Sequence, residues 1–404
     1  MKIGILQTAY KKSEDYGKFY NVQELGLARA LAKKGHEVTL FKAVDGEGRD
    51  YSESFSAGSL LVKLISVKYI GINGLLDLNL LDPSLDILIY FCDTQLIVPK
   101  VYKWCRRNNV AFYPYVGVME SHSESGLKRE LMDIISGRNL KIYKKCTVFA
   151  KTPQIRDFLV GRGCTDAKLI AVGLDETVMA PSFIKGISHD ISSINSSSED
   201  SSSENSLIDG SIDGSSNKKS SSHNSSKCKL LFIGRMEKEK HPLEMLTIFE
   251  SLLDSCSNAD DAIQHSSSFS LTMIGDGYMY DEVATAADLI KKKYNLAEDG
   301  LRLIRKVSYS DMHLYYKEAD VYINLNLVEI LGMSILEAMY YGCPVVAVDA
   351  PGPRFILDDE YGIIANDFKE VTNRVGRLAH DYDSYVSMTE QAFHHVKQEF
   401  TWDA

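Results

Sequence analysis

The sequence predicts an α/β protein made of two doubly wound, Rossmann-like domains, because strand and helix patterns alternate along both of its halves. In the first half, an apolar run at residues 2–6 is followed by apolar residues at helical spacing over residues 22–34 and by a strand pattern at residues 36–41. In the second half, strand patterns recur from residues 229–233 to residues 361–364. Strand–helix–strand units form parallel sheets covered by helices, so we expect two such sheets facing a crevice.

The domain boundaries follow from a serine-rich stretch at residues 182–227, which is nearly without aromatic residues and cannot bury a core. We predict a first domain over residues 1–181, a disordered insertion or linker over residues 182–227, and a second domain over residues 228–390. Residues 391–404 are expected to begin a last helix.

The composition indicates a soluble globular protein of the cytoplasm. Of the 404 residues, 45% are hydrophobic and 25% are charged, and no apolar run is long enough to cross a membrane. Residues 1–12 become polar too early for a signal peptide. The seven cysteines contain no CxxC pair, which argues against a disulfide framework or a zinc ribbon and fits a reducing compartment.

The charge is distributed unevenly along the chain. The net charge of −10 argues against general nucleic-acid binding, but residues 1–180 carry 25 basic and 20 acidic residues, a net +5. Two interpretations of the basic clusters remain open: a solvated face, or a surface attracted to the anionic inner face of a membrane. The clustered residues are Lys100, Lys103, Arg106, Arg107, Lys128, Arg129, Arg138, Lys141, Lys144 and Lys145.

The strongest candidate site is the loop between a strand pattern and a helical pattern near residue 330. Glu329 lies on this loop and Glu337 lies about one turn inside the helix, so both can face the edge of the sheet where ligands of α/β proteins bind. Between them, Gly332, Met333 and Ser334 combine a permissive backbone with a helix start, whose N–H groups suit an anion. Carboxylates suit vicinal hydroxyls, so a ligand with hydroxyls and phosphates, such as a nucleotide sugar, fits this loop.

Two structural interpretations of these glutamates remain open. Ser334 and Glu337 have the spacing of a capping box, in which the two side chains satisfy backbone N–H groups at the helix start. Glu329, like most glutamates on loops, would then be simply solvated.

The block E-x7-E followed by A-M-x-x-G-x-P-V resembles the signature of retaining GT-B glycosyltransferases, specifically glycosyltransferase family four. The resemblance implies metal-independent transfer of a sugar, with retention, from a nucleoside-diphosphate donor to a saccharide or lipid-linked saccharide hydroxyl, with no cofactor. It also implies that Glu329 contacts the transferred sugar and that Glu337 binds the donor ribose. The matching positions are Glu329, Gly332, Met333, Ser334, Glu337, Ala338, Gly342, Pro344 and Val345.

Two further strand ends resemble blocks of the same family. Gly234, Arg235 and Lys240 match a G-R-x-x-x-x-K block, which implies that the two cations hold the donor diphosphate as it gains negative charge. Gly275 and Gly277 resemble a V-G-D-G block that lets nucleotide and backbone meet, although Gly-Asp-Gly is also ordinary in a plain turn. By resemblance, then, Glu329, Arg235 and Lys240 form the catalytic set.

The first domain departs from the family pattern. A histidine usual in the family after a middle strand is absent, and Gly117 lies near its place. Glu120 and His122 are candidates to enter the crevice instead, with a polar rim loop as the alternative, and Gln23 and Glu24 are further acceptor-side candidates.

Other features leave alternatives open. The D-x-D pattern at residues 381–383 is expected to be a solvated helix face, and no metal site is expected. Family members usually continue into a helix that crosses back to the first domain, so the chain is either naturally short or truncated. A nucleotide-sugar epimerase and a non-catalytic partner subunit remain alternatives to the transferase.

Overall fold

The structure is a computed structural model that describes residues 1–18, 20–92, 94–118, 126–180, 227–257, 269–378 and 382–404. Two of the acceptor-side candidates, Glu120 and His122, lie outside the described residues, as do Asp381 of the D-x-D pattern and nearly all of the predicted serine-rich insertion.

The first domain is built on an eight-stranded sheet with the order β10-β9-β8-β7-β1-β2-β4-β3. Neighbouring strands run parallel except β3 and β4, and β5 and β6 form a separate small hairpin. The strands are β1 (Lys2–Gln7), β2 (Glu37–Val44), β3 (Arg49–Ser54), β4 (Ser59–Ser66), β5 (Tyr69–Ile70), β6 (Asn73–Gly74), β7 (Ile87–Phe91), β8 (Ala111–Val116), β9 (Val148–Ala150) and β10 (Ala167–Leu169). The helices are α1 (Gln23–Lys33), α2 (Val98–Arg107), α3 (Gly126–Tyr143) and α4 (Pro153–Gly161).

The second domain contains a six-stranded, fully parallel sheet with the order β13-β12-β11-β14-β15-β16. Numbered within the domain, this is the 3-2-1-4-5-6 order of dinucleotide-binding sheets, and it reverses between β11 and β14. The strands are β11 (Cys228–Ile233), β12 (Phe269–Ile274), β13 (Leu301–Ile304), β14 (Val321–Asn324), β15 (Val345–Val348) and β16 (Ile363–Ala365). The helices are α5 (Pro242–Ser257), α6 (Tyr280–Lys293), α7 (Tyr309–Glu318), α8 (Met333–Tyr340), α9 (Pro351–Ile356), α10 (Phe368–Leu378) and α11 (Tyr382–Glu399).

The prediction of two doubly wound parallel sheets is therefore confirmed. All four residues of β14 and all four of β15 are buried, which explains why their sequences are apolar rather than alternating. One hydrophobic cluster contains buried residues from both sheets, including Ile5 and Leu40 of the first and Ile274 of the second. The two domains thus share apolar contacts.

The C-terminal segment returns to the first domain. Helix α11 begins at Tyr382 rather than near residue 391, and it buries Ala392 and Val396. The Leu174 N–H donates to the Phe400 carbonyl at 2.7 Å, and the Trp402 N–H donates to the Leu174 carbonyl at 3.1 Å. The last residues of the chain therefore contact the first domain, a contact that the sequence analysis did not predict.

We predict that Gly26→Ala lowers the melting temperature because helix α1 leaves no room for a side chain at this position. A Cβ atom at Gly26 would overlap the Trp402 indole and lie 2.9 Å from the Asp175 Cβ atom. Alanine should otherwise stabilise a helix by about 0.5–1 kcal/mol relative to glycine, whereas overpacking costs about 1–3 kcal/mol.

The matched control is Gly137→Ala in α3, where no atom lies within 4 Å of the new Cβ atom. This change should raise the melting temperature, and in a Trp402→Ala background the cost of Gly26→Ala should shrink. Equal effects of the two glycine substitutions would contradict the close contact between α1 and the C-terminal segment.

Candidate active site

The candidate site lies at the carboxyl edge of the second sheet, where β11, β12 and β14 end beside one another. Open α/β sheets bind ligands outside this edge, at the point where the strand order reverses. Three loops meet there: residues 234–241 after β11, residues 275–279 after β12, and residues 325–332 after β14. All second-domain site residues predicted from the sequence belong to these loops or to α8.

An ion pair joins two of these loops. The Lys240 ammonium lies 2.8 Å from Oε2 of Glu329, and the two side chains are 23% and 16% exposed. The Glu329 backbone is also held, because its N–H donates to the Asn326 carbonyl and its carbonyl accepts from the Gly352 N–H at 2.7 Å. The interpretation of Glu329 as a solvated loop residue is therefore wrong.

Asn326 is a member of this site that the sequence reading missed. Its Nδ2 atom donates to Oε2 of Glu329 at 2.9 Å, the same oxygen that Lys240 contacts. Its own orientation is fixed, because Oδ1 accepts from the Val328 N–H at 3.2 Å and its N–H donates to Oδ1 of Asn324 at 3.1 Å. The available signal was the pair of asparagines just after a buried strand, since asparagine side chains commonly bond the backbone two residues on.

Arg235 is not part of this contact. Its guanidinium pairs with the Glu237 carboxylate, and its side chain is 65% exposed. The structure therefore brings Lys240 and Glu329 together, whereas Arg235 lies at the surface of the same loop.

Gly275 and Gly277 bring two of the loops into backbone contact. A Cβ atom at Gly275 would overlap the Gly234 carbonyl, and one at Gly277 would overlap the backbone of Met236. The Met236 N–H donates to the Asp276 carbonyl at 3.0 Å, and the Met279 N–H donates to the Met236 carbonyl at 2.9 Å. The two glycines are thus required by the packing of the loops, whatever ligand they also admit.

The start of α8 contradicts the capping-box interpretation. Gly332 is the N-cap, with a φ of 91°, so Met333 and Ser334 are the first two helical residues and their N–H groups precede the intrahelical bonds. The Ser334 hydroxyl accepts from the Tyr322 hydroxyl at 2.7 Å, and the helix has no side-chain cap. The Ser-x-x-Glu spacing fits a box only when serine itself is the N-cap.

Glu337 is instead a buried carboxylate held by tyrosines of α7. The Tyr316 hydroxyl donates to its Oε2 atom at 2.9 Å, and the Tyr309 hydroxyl forms a second bond. Burial raises the pKa of Glu337 to about 7, because the charged form loses hydration, while the two tyrosine bonds lower this pKa. The carboxylate thus titrates near neutral pH.

The acceptor-side candidates differ in their surroundings. Glu24 is buried, 3.7 Å from the Lys42 ammonium, which also donates to the Ala9 carbonyl at 3.0 Å. Gln23, at the first position of α1, is half-buried. Glu24 therefore belongs to a buried ion pair rather than to an open surface.

A lysine lies beside Gly117, the residue that the sequence analysis put near the place of the absent histidine. Gly117 follows β8, and a Cβ atom there would lie 2.5 Å from Cδ of Lys151, the residue after β9. The Lys151 ammonium lies 5.4 Å from the ring centres of both Phe91 and Tyr115. Sequence reading missed Lys151, because only the pairing of β8 with β9 brings it next to Gly117.

Residues 214–395 match the model of the family described as "Glycosyl transferases group 1". A curated relative, Glycosyltransferase 1 domain-containing protein 1 of Xenopus tropicalis, is 28% identical over 106 residues, which cover 26% of this chain and 31% of that protein. The chain thus matches about a third of the length of that relative.

Solved structures with similar folds cover the whole chain. Sucrose-phosphate synthase from Thermosynechococcus elongatus has a TM-score of 0.67 at 15% identity, and Anabaena Alr3699/HepE in complex with UDP has 0.61 at 12%. Trehalose-6-phosphate synthase OtsA has 0.66 at 10%, and each of the three matches covers 100% of this chain and 96% of the other. The chain therefore has the GT-B fold, and residues 214–395 of it are similar to the glycosyl transferases group 1 model.

Proposed function

We propose that this chain is a retaining glycosyltransferase of family four that moves a sugar from a nucleoside-diphosphate donor to a hydroxyl of a saccharide or a lipid-linked saccharide. The observation that carries this proposal is the Lys240–Glu329 ion pair at the switch point of a GT-B second domain. The family match over residues 214–395 supports the glycosyltransferase part of this proposal.

Lys240 and Arg235 are proposed to hold the donor diphosphate. Cleavage of the glycosidic bond leaves negative charge on the diphosphate, and fixed cations stabilise that charge without reorganising during the reaction. Lys240 already donates to Oε2 of Glu329, an oxygen that also accepts from Asn326, whereas Arg235 must exchange Glu237 for the diphosphate. The N–H groups at the start of α8 add further donors.

Glu329 is proposed to contact the transferred sugar, and Glu337 the donor ribose. A carboxylate accepts hydrogen bonds from two vicinal hydroxyls, which suits both roles. One structural neighbour, Anabaena Alr3699/HepE, was solved with UDP and with UDP-glucose, which supports a nucleotide sugar as the donor class for the fold.

The transfer is proposed to need neither a metal ion nor a cofactor. Lys240, Arg235 and the α8 N-terminus supply the positive charge that a divalent cation would otherwise bring to a diphosphate. Across the described ranges, no three His, Cys, Asp or Glu side chains are grouped as metal ligands.

We predict that Glu329→Gln and Lys240→Met each lower sugar transfer by about 100-fold or more, the loss typical when one group that stabilises transition-state charge is removed. The measurement is release of nucleoside diphosphate from UDP-, GDP- and ADP-sugars, with and without a glycolipid extract. The matched control is Glu298→Gln, whose side chain is fully exposed on the surface.

The outcomes of this measurement distinguish a transferase from an epimerase and from a non-catalytic partner subunit. Release from one donor that depends on the extract and is lost in both variants supports the transferase. An altered sugar formed without acceptor would instead identify an epimerase. Absence of both turnover and binding for every donor would contradict the transferase and favour a non-catalytic partner subunit.

We further propose that the first domain contacts an anionic membrane surface that carries the lipid-linked acceptor. Basic side chains on α2, on α3 and at residues 144–145 just after α3 are exposed, and Leu131 and Ile134 on α3 are 57% and 69% exposed. Exposed apolar residues beside lysine and arginine are typical of surfaces that lie on anionic lipids. No helix in the described part of the chain is long and apolar enough to cross a membrane. The basic face consists of Lys100, Lys103, Arg106, Arg107, Arg129, Arg138, Lys141, Lys144 and Lys145.

We predict that replacing Lys141, Lys144 and Lys145 by Gln weakens binding to phosphatidylglycerol-containing vesicles by about 100-fold, at about 1 kcal/mol per charge. Cosedimentation at low and high salt measures the effect, and high salt should abolish it. The matched control replaces the three consecutive lysines 291–293 at the end of α6. Equal losses in the two triple variants, or no vesicle binding at all, would contradict a basic membrane face.

A further inference from the structure

A chain of hydrogen bonds connects Glu337 in the second domain to the first domain. The Tyr309 hydroxyl bonds the Glu337 carboxylate, and Nδ2 of Asn21 donates to the same hydroxyl at 3.0 Å. The Tyr309 N–H also donates to the Lys18 carbonyl at 2.8 Å. Asn21 and Tyr309 are both buried, so the connection is shielded from solvent.

Asn21 fixes which atoms donate and which accept in this series of hydrogen bonds. Its Oδ1 atom accepts from the Asp175 N–H at 3.1 Å, so the amide nitrogen must face Tyr309. Because Nδ2 can only donate, the Tyr309 oxygen accepts there and its proton points to Glu337. Linked hydrogen bonds of this kind strengthen one another, so the bond to the carboxylate depends on the one from Asn21.

The other groups around Glu337 are neutral at physiological pH. Tyr316 comes from α7, Tyr322 from β14 and Tyr341 from the end of α8. Charged and titratable side chains of the neighbouring elements have other contacts: Lys397 of α11 pairs with Glu176, Glu329 pairs with Lys240, and Lys317 and His313 of α7 lie against the Tyr341 ring. The tyrosine hydroxyls therefore govern the hydrogen bonding of this carboxylate.

We propose that Asn21 and Tyr309 are positioning residues that make the hydrogen-bonding state of the Glu337 carboxylate depend on contact between the two domains. The consequence for donor binding rests on the proposed function, because only there does Glu337 contact the donor ribose. When the domains separate, Tyr309 loses the amide that orients its hydroxyl. The carboxylate is then less well stabilised and takes up a proton more readily, which removes an acceptor for ribose hydroxyls.

The sign of the pH effect follows from the raised pKa of Glu337. Burial lifts this pKa above that of an unfolded glutamate, so Glu337 contributes stability at low pH that is lost as the pH rises through about 7. Loss of a hydrogen bond to the charged form raises the pKa further. Variants that break the connection should therefore move this loss of stability to higher pH.

The first experiment needs no ligand. Melting temperatures of each protein and of the same protein with Glu337→Gln are compared from pH 5 to pH 9, and their difference isolates the titration of Glu337. The difference levels off at the pKa that Glu337 has in the folded protein, and this pH is called the midpoint. Tyr309→Phe and Asn21→Ala should each shift the midpoint upward by about one pH unit or less, the size expected for one hydrogen bond. Tyr316→Phe is the matched control, since it removes a bond to Glu337 without touching the first domain.

A double-mutant comparison tests whether Asn21 acts through Tyr309. Asn21→Ala should shift the midpoint in the wild-type and Tyr316→Phe backgrounds but not in the Tyr309→Phe background. An unchanged midpoint in Asn21→Ala, or an equal shift in all three backgrounds, would overturn the connection between the domains.

The second experiment measures donor binding by calorimetry with UDP, GDP and ADP from pH 6 to pH 8.5. For the nucleotide that binds, affinity should fall more steeply towards acid pH in Tyr309→Phe and Asn21→Ala than in the wild type. Equal pH profiles would overturn the coupling to the donor. If the ligand-free shift is present but no nucleotide binds to the wild type, the positioning roles stand and the proposed function is contradicted.

Discussion

The Lys240–Glu329 ion pair is the contact around which the carboxyl edge of the second sheet is arranged. It connects the loop after β11 with the loop after β14, on the two sides of the point where the strand order reverses. Either charge alone would be costly in a half-buried place, so each loop holds the other in position. With Asn326 sharing the same carboxylate oxygen, the geometry is set before any ligand arrives.

The sequence predicted the two sheets well, because fully buried strands such as β14 and β15 are readable as unbroken apolar runs. It predicted the site less completely. Ser334 and Glu337 fit a capping box by spacing, and only the backbone angle of Gly332 shows that serine is not the N-cap. Asn326 and Lys151 were missed because their contacts depend on neighbouring loops and strands, which local periodicity does not report.

The motif residues of the second domain differ in how well their presence distinguishes a working site from a fold that has lost catalysis. Gly275 and Gly277 are needed by the backbone contact between two loops, so a chain that had lost catalysis but kept its fold would keep them. Stability of the fold does not by itself explain Lys240 and Glu329, because a half-buried ion pair is often no more stabilising than a well-packed apolar pair. Their presence is therefore the stronger reason to expect a working site. Glu337 is connected to the first domain through Tyr309 and Asn21.

The return of the C-terminal segment to Leu174 means that the chain passes between the two domains twice. One passage lies between residues 180 and 227, and the other follows α11. Separation of the domains therefore has to break the two backbone hydrogen bonds at Leu174 as well as the apolar contacts of the shared cluster. The last residues of the chain thus add a non-covalent connection between the domains to the covalent one.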